Sequence, residues 1–408
     1  MEKKKIYYGW ITVTGCTMIM ATAMGIVFNC ASLFIKPIAE DLGYSRSAVQ
    51  MISTVFNIGN MAVSFLAGKI FTENNIVKLM KVSILVMVCC YFMNSMVSSI
   101  YLFYLIAIIN SVCMTLLTTM PISFIINNWF YEKGGLALGL ASMGSGIGSA
   151  IFSALSGVWL TTMGWRNTYR LLALFVAVIA IPAVFFLVKL RPQDMGLEPY
   201  GKKAEGQQAV QNTGMSAREV RKKPVFWILV VIAGLLGISM SAMYGNIAPH
   251  LSDIGYSTSF SANVLSVGMV ALTGGKLLLG RIFDKVGVRN GFAFACLCLF
   301  GGLVAMLFAK SWIALAFLII SMGFGVSFGA VCFPLMLPAV FGKDSYRSII
   351  GIVSAVLALG SAVAPSISGW IYDSFGTYNA AFIGGAVIMA AVTVIVWLVL
   401  PKKENEIK

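Results

Sequence analysis

Apolar segments of membrane-spanning length fill most of this 408-residue chain, and they constrain its fold more than any other feature. About 20 consecutive apolar residues are enough for a helix to cross the hydrocarbon core of a bilayer. Because lipid offers no hydrogen-bond partners, the backbone of such a segment must satisfy itself within a helix. Twelve segments can be drawn, at 9–35, 47–71, 79–98, 101–128, 135–162, 168–189, 225–249, 260–283, 290–309, 312–340, 346–371 and 379–400. The chain is therefore predicted to be an all-α membrane protein with twelve transmembrane helices.

The charge distribution sets the expected topology and excludes a nucleic-acid partner. Only 11% of the residues are charged, whereas a soluble domain carries about 25%, although the net charge is +14. With the amino terminus inside, only six of the 29 basic residues escape the cytoplasmic segments: Lys36, Arg46, Arg166, Arg170, Lys310 and the intramembrane Lys276. This positive-inside bias predicts that both termini are cytoplasmic. The protein is expected to be a multi-pass protein of the cell inner (plasma) membrane, surrounded by lipid.

Cysteine and histidine usage gives no sign of a metal site or of catalysis. All eight cysteines lie in apolar segments, and no disulfide framework or metal-ligand set can be drawn from them. The one histidine, His250, lies at the outer end of the seventh segment, where we expect an interface residue without a nearby nucleophile. An enzyme is therefore not expected, nor is a cofactor. The protein is also predicted to be a monomer.

An internal duplication appears when the chain is compared with itself at an offset of 212 residues. FIKPIAEDLGYSRS at 34–47 falls on NIAPHLSDIGYSTS at 246–259, and seven small residues of the fifth segment, together with Gly164 just after it, recur in and just after the eleventh. Six helices bring the chain back to the side of the membrane on which it started, so the second unit has the same orientation as the first. Such an arrangement is a parallel repeat. We predict two six-helix halves, 1–190 and 225–408, with the substrate site between them near the bilayer midplane. Residues 191–224, rich in proline, glycine and basic residues, form a cytoplasmic linker with a short surface helix before Pro224.

Lys276 is the most conspicuous charge because it interrupts an apolar run about 12 Å of helix rise before Asp284. Charge at this depth is costly and usually faces a cavity or a partner. The alternative is that the side chain extends to the membrane surface and binds nothing. The repeat places Lys276 on Ser64, so the deep cation exists in one half only.

Four further residues are candidate substrate contacts. Lys36 lies at the outer end of the first segment, where it extends outward or faces the cavity mouth. Asn29 interrupts the same segment, and Thr118 precedes Pro121, so it lines a polar cavity wall or packs between helices. Asn246 belongs to the repeated motif at the outer end of the seventh segment.

Three stretches carry a family resemblance. They are NNWFYEKGG at 127–135, the small-residue helix that follows it, and Gly164-Trp165-Arg166. Together with LFIKPIAEDLGYSRS they resemble the oxalate/formate antiporter family, which is related to the monocarboxylate transporters. The turn GRIFDKVGVR at 280–289 resembles the loop motif of the major facilitator superfamily, to which both groups belong.

The resemblance implies the two-half, twelve-helix fold of that superfamily and a substrate role for Lys276. Relatives place a cation there that binds the substrate carboxylate, although arginine is commoner. The animal carriers also use a lysine that matches Lys36, and an acid one turn before the deep cation, where this chain has Leu272. The oxalate carrier adds a lysine in its eleventh helix, whereas residues 346–371 here contain Arg347 at the cytoplasmic edge and no deeper cation.

The expected function is secondary active transport of a small organic monocarboxylate, such as lactate, pyruvate or formate, by rocking of the two halves. An oxalate/formate-type exchanger and a drug efflux carrier are the alternatives. Since no Asp or Glu lies deep in a segment, a proton would have to bind Lys36 or Lys276 itself, or else the carrier exchanges anions. Four charged residues are expected to control conformation, with Asp284 and Asp373 at inner ends: Arg281, Asp284, Arg289 and Asp373.

Overall fold

The computed structural model describes residues 7–70, 75–131, 133–201 and 217–400, and these are almost entirely helical. The helices are α1 Tyr8–Thr22, α2 Ile35–Leu42, α3 Arg46–Ile70, α4 Ile76–Asn94, α5 Ile100–Leu117, α6 Thr119–Trp129, α7 Gly134–Pro182, α8 Ala217–Val220, α9 Pro224–Asp253, α10 Thr258–Leu307, α11 Trp312–Gly325, α12 Phe333–Phe341, α13 Lys343–Phe375 and α14 Asn379–Val399. Extended pairing within the described ranges is limited to a single bridge between Phe130 and Tyr200. The all-α prediction is confirmed.

Nine of the described helical stretches are long and apolar enough to cross a membrane. The fifth and sixth predicted segments share one of these stretches, Leu136–Leu187, because the chain turns at Gly164 without losing helical residues on either side. The tenth predicted segment is divided, since α11 ends at Gly325 and α12 begins at Phe333. The second predicted segment, 47–71, corresponds to the helix α3. The count of twelve spans stays a prediction.

Glycines in left-handed turns show the duplication in the backbone itself. Gly43 and Gly255, which are repeat mates, have φ of 69° and 108°. Gly164 and Gly376, a second pair of mates, have φ of 76° and 69°. Because glycine lacks a Cβ, it adopts this region without steric cost, which explains why both copies retain it.

The chain divides into two compact units. The first contains Met1–Leu42 and Gly59–Gln207, and the second contains Gly43–Ile58 and Gln208–Lys408. The beginning of α3 therefore groups with the second unit, although the rest of that helix groups with the first. The linker that we predicted at 191–224 is described only at its ends, where α8 forms the short helix expected before Pro224, and residues 202–216 lie outside the described ranges.

Each unit contains the same close helix crossing. In the first unit α1 and the π-helical segment Ala23–Phe28 that continues it pack on α7, and a Cβ added to Gly25 would lie 2.8 Å from the nitrogen of Ser149. In the second unit α9 packs on α13, and a Cβ added to Gly237 would lie 2.9 Å from the nitrogen of Ser361. The residues are mates at offset 212, so the small residues of the fifth segment serve helix packing, as expected.

Aromatic side chains near the amino terminus and around residue 129 contact the residues just before the linker and at its beginning. The indole of Trp129 donates to the carbonyl of Lys189 at 2.8 Å, and the hydroxyl of Tyr7 donates to the carbonyl of Glu198 at 2.8 Å. Tyr200 closes the cluster with its ring centroid 5.5 Å from that of Tyr7 and 5.8 Å from that of Phe130. The Trp-Phe motif near residue 129 is thus a packing element of this unit.

Candidate substrate site

Lys276 lies in the middle of α10 at a place where the backbone is held by a neighbouring helix. Gly275 packs directly on the backbone of Gly323 in α11, so a Cβ at position 275 would overlap the Gly323 carbonyl. The Lys276 side chain is half-buried, and Leu272 one turn earlier offers no opposite charge. Among the side chains that the structure describes, no carboxylate lies within ion-pair distance of Nζ. This half-buried cation is therefore a candidate counter-charge for an anion.

Lys36 has a local partner. It lies on α2, half-buried, with Nζ 4.0 Å from the Oε1 atom of Glu40 one turn further on. Pairs of this kind between partly exposed side chains contribute little to stability, on the order of 0.3–0.5 kcal/mol.

Asn29 stands at a break in the first predicted helix. The segment Ala23–Phe28 is a π-helix and Ala31–Phe34 is a 3₁₀-helix, so the expected interruption near Asn29 is present. The amide of Asn29 donates to the hydroxyl of Ser149, which in turn donates to the carbonyl of Ser145 at 2.6 Å. Breaks of this type frequently occur at functional sites, but this one is also tied into the packing of α7.

Thr118 follows the last residue of α5 and is buried. Its backbone leaves the helical region, with φ −105° and ψ −122°, and α6 starts at the next residue. The hydroxyl donates to the carbonyl of Met114 at 2.8 Å. The side chain therefore stabilises the broken helix end, which favours the packing alternative over a cavity wall.

Asn246 takes part in a buried hydrogen-bond network of the second unit. It is 1% exposed, donates to the carbonyl of Ala242 at 2.8 Å, and accepts from Nε2 of Gln50 at 2.9 Å. Gln50 also donates to the hydroxyl of Tyr378 at 3.1 Å. Both ends of the Asn246 amide are thus engaged by protein groups.

The four conformational candidates occupy different surroundings. Arg281 is exposed, and the guanidinium of Arg289 lies 4.3 Å from the ring centroid of Trp397. The side chain of Asp284 lies outside the described part of α10. Asp373 accepts hydrogen bonds from the backbone nitrogens of Arg46 and Ser47, each at 3.0 Å.

Two expectations about helix ends are wrong. Asp373 was expected at an inner end, but it shares Arg46 as a partner with Asp253, at the end that the charge bias assigns to the outside. The reason is that, in the predicted topology, the eleventh segment runs in the same direction as the first, so its carboxyl end lies on the opposite side from the amino terminus. His250 is not an interface residue: it is 4% exposed, with Nε2 3.0 Å from the carbonyl oxygen of Met306.

The candidate residues are distributed over both units. Asn29, Lys36 and Thr118 belong to the first unit, whereas Lys276, Asn246 and Asp373 belong to the second. Within the second unit, Asn246 and Asp373 are joined through the first two turns of α3, by Gln50 and Arg46. The sequence reasoning missed both of these α3 residues, although Arg46 was visible as one of few outer basic residues.

Comparison with known proteins identifies the family. Residues 17–309 and 241–408 match the sequence profile of the Major Facilitator Superfamily. The chain belongs to the major facilitator superfamily. Members of this superfamily are multi-pass membrane transporters, and this one is accordingly a transporter and not an enzyme. Its relation to the monocarboxylate transporters, expected from the sequence motifs, is also confirmed.

Two proteins that are similar to this major facilitator are named monocarboxylate transporters. Monocarboxylate transporter 12 of Mus musculus is 20% identical over 420 residues, covering 94% of this chain and 84% of that protein. Monocarboxylate transporter 13 of Bos taurus is 24% identical over 286 residues, covering 69% of this chain and 64% of that protein. The chain thus spans somewhat less than two thirds of the bovine relative.

A solved structure supports the major facilitator fold. The nucleoside transporter NupG superimposes with a TM-score of 0.74 over 97% of this chain and 99% of that one, at 12% identity. At such low identity the likeness concerns the fold alone.

Proposed function

We propose that this protein carries small organic monocarboxylates, such as lactate, pyruvate or formate, across the membrane by alternating access, with Lys276 as the counter-charge of the substrate carboxylate. The observation that carries the proposal is the half-buried Lys276 in an apolar helix without a described carboxylate at ion-pair distance. A charge in such surroundings needs a partner, and a carboxylate substrate supplies it. The similarity to proteins named monocarboxylate transporters points to the same substrate class.

The proposed cycle uses the duplication. Halves 1–190 and 225–408 rock about a substrate near the bilayer midplane, which is how parallel repeats of this kind provide alternating access. We place the protein in the plasma membrane with both termini in the cytoplasm, on the strength of the positive-inside bias. Labelling of a cysteine in the linker from outside intact cells would contradict this orientation.

Ligand-dependent stability of the purified protein tests the substrate class. A ligand present at 100 times its dissociation constant stabilises the folded state by about 2.7 kcal/mol. We expect lactate, pyruvate or formate to raise the apparent unfolding temperature. An apolar cation should have no effect because Lys276 repels it, and stabilisation by such a cation alone would favour the drug efflux alternative.

Charge counting separates the proposed substrates from oxalate. The eleventh predicted segment, 346–371, contains Arg347 at its cytoplasmic edge and no deeper cation, so it offers no partner for a second carboxylate. We expect monoanions to bind more tightly than oxalate, because one of the two oxalate charges would be desolvated without a partner. In a competition assay, oxalate should displace labelled lactate only at higher concentration than unlabelled lactate does. Displacement by oxalate at far lower concentration would instead establish the oxalate/formate-type exchanger.

Energy coupling is proposed to be proton symport, in which Lys36 or Lys276 binds the proton together with the anion. Lys36 supports this choice because it occupies the position of a lysine that the related animal carriers, which are symporters, also use. Proteoliposomes loaded with buffer alone should accumulate labelled lactate when an inward acid gradient is imposed. Uptake that ignores the gradient, but appears once unlabelled substrate is placed inside, would rule out symport and establish exchange.

A further inference from the structure

The residues that lead into α9 carry a dense group of positive charge. The stretch AREVRKKPVFW at 217–227 contains one acid, Glu219, and four basic residues, which are Arg218, Arg221, Lys222 and Lys223. The first three of these cations are exposed and the fourth is half-buried. The positive-inside bias requires no particular arrangement of such charges. Here, however, they stand on a folded turn of the second unit.

Hydrogen bonds fix the backbone of this turn. The nitrogen of Lys222 donates to the carbonyl of Glu219 at 3.1 Å, and the nitrogen of Lys223 donates to the carbonyl of Val220 at 3.0 Å. The nitrogen of Phe226, in the first turn of α9, donates to the carbonyl of Lys223 at 3.1 Å. The helices α8 and α9 are therefore joined by a hydrogen-bonded turn, which fixes the points from which the basic side chains leave the backbone.

Two buried apolar side chains hold the turn against the rest of the second unit. Val220 and Phe226 are both 0% exposed. The helix α8 packs on α13, and the ring centroid of Phe226 lies 6.2 Å from that of Phe341 at the end of α12. Since the apolar side chains of the turn are buried, the exposed Arg221 and Lys222 are directed away from the protein.

A tryptophan relates the turn to the depth of the bilayer. Trp227, in the first turn of the apolar helix α9, is 51% exposed, and its indole donates to the carbonyl of Arg221 at 2.8 Å. Exposed tryptophan side chains of membrane proteins prefer the headgroup region, where one part of the ring is apolar and the other wet. An indole at that depth, bonded to Arg221, brings the neighbouring cations to the level of the lipid phosphates.

We propose that this basic turn, residues 218–227, binds the phosphate of an anionic phospholipid headgroup. Four or more basic residues directly beside a transmembrane helix attract anionic lipid. A phosphodiester offers a negative charge and oxygen acceptors, which match guanidinium and ammonium donors. Because the backbone of the turn is already ordered, less entropy is lost when the lipid binds. The site depends neither on Lys276 nor on the transported substrate, so either proposal can fail without the other.

Lipid titration of the purified full-length protein tests the basic turn. The protein in a neutral detergent is titrated with dioleoylphosphatidylglycerol, and native mass spectrometry gives the dissociation constant of the first bound lipid. Dioleoylphosphatidylcholine, which has the same chains and no net charge, is the reference. We expect phosphatidylglycerol to bind at least tenfold more tightly than phosphatidylcholine. The double substitution Arg221→Gln and Lys222→Gln should abolish this preference.

The double substitution Lys285→Gln and Lys310→Gln is the matched control, because it removes two exposed cations of the same unit outside the basic turn. It should preserve the preference for phosphatidylglycerol. Trp227→Phe keeps an aromatic ring but removes the hydrogen bond to the carbonyl of Arg221, and it should reduce the preference at least threefold. Attraction by net charge alone would be unaffected by this last substitution.

Four results would overturn the proposal. They are equal binding of the two lipids to the unmodified protein, equal loss of preference in both double variants, an unchanged preference in Trp227→Phe, and displacement of the lipid by inorganic phosphate at the same concentration. The last result would identify free phosphate as the ligand. Size-exclusion profiles establish folding, and Lys222→Gln alone, at an exposed position, carries the test if the double variant does not fold.

Discussion

Replacement of Lys276 by glutamine is expected to raise the dissociation constant for lactate at least 100-fold, which corresponds to about 2.7 kcal/mol. The half-buried ammonium group lies in an apolar helix, and the substrate carboxylate would enter these surroundings without a counter-charge once it is removed. The protein itself should remain folded, because no described carboxylate loses a partner in the variant. Calorimetric titration of the purified variant with lactate gives the constant directly.

Two variants of the same helix make this result specific. Lys276→Arg keeps the positive charge and should retain binding, with a changed preference among carboxylates because a planar fork replaces a point charge. Lys285→Gln removes an exposed cation of α10 and should leave the dissociation constant unchanged. Equal affinities in Lys276→Gln and the unmodified protein would mean that Lys276 extends to the membrane surface and binds no substrate.

Gly148→Ala is expected to destabilise the folded protein strongly. At this position on α7 an added Cβ would overlap the carbonyl oxygen of Ala21 in α1, and neither backbone can move aside without opening the crossing. Overpacking of this kind costs about 1–3 kcal/mol and occasionally more. Thermal unfolding in detergent should show a transition several degrees lower, together with a loss of monodisperse protein.

Gly139→Ala is the control on the same helix, because nothing lies within 4 Å of a Cβ added there. It should be neutral or stabilising, since alanine favours a helix over glycine by up to about 1 kcal/mol. Gly360, the mate of Gly148, packs on the carbonyl of Gly234 in the second unit, so Gly360→Ala should be as harmful. Similar unfolding temperatures for the substitutions at 139 and 148 would contradict a role of this crossing in stability.

The fold could be predicted because its causes are local or periodic. Long apolar segments must form helices in lipid. The repeat at an offset of 212 residues predicts that the two halves share local structure, and Gly43 and Gly255 do form matching turns. The break near Asn29 was also visible as a polar residue in an apolar run. Division of the tenth segment between Gly325 and Phe333 was not predicted, because both sides of it are equally apolar.

The candidate site could be predicted only in part, because its polar side chains are defined by partners far away in the chain. Arg46 and Asp253 are 207 residues apart, and no local pattern links them. Asn246 and Thr118 were named for their polarity, yet one is engaged by Gln50 and the other by the carbonyl of Met114. A polar residue in a membrane helix thus shows that a partner exists, but its sequence neighbours do not say which one.

The cap that Asp373 forms on the first turn of α3 has a consequence for biosynthesis. The carboxylate that accepts from the nitrogens of Arg46 and Ser47 belongs to a residue translated more than 300 positions later, since Asp373 and Arg46 are 327 residues apart. While the ribosome is still producing the intervening helices, Asp373 is absent, whereas the hydroxyl of Ser45, which accepts from the nitrogen of Ala48, is already in place. The nitrogens of Arg46 and Ser47 therefore need another acceptor, for which water at the membrane surface is available, until α13 has been made.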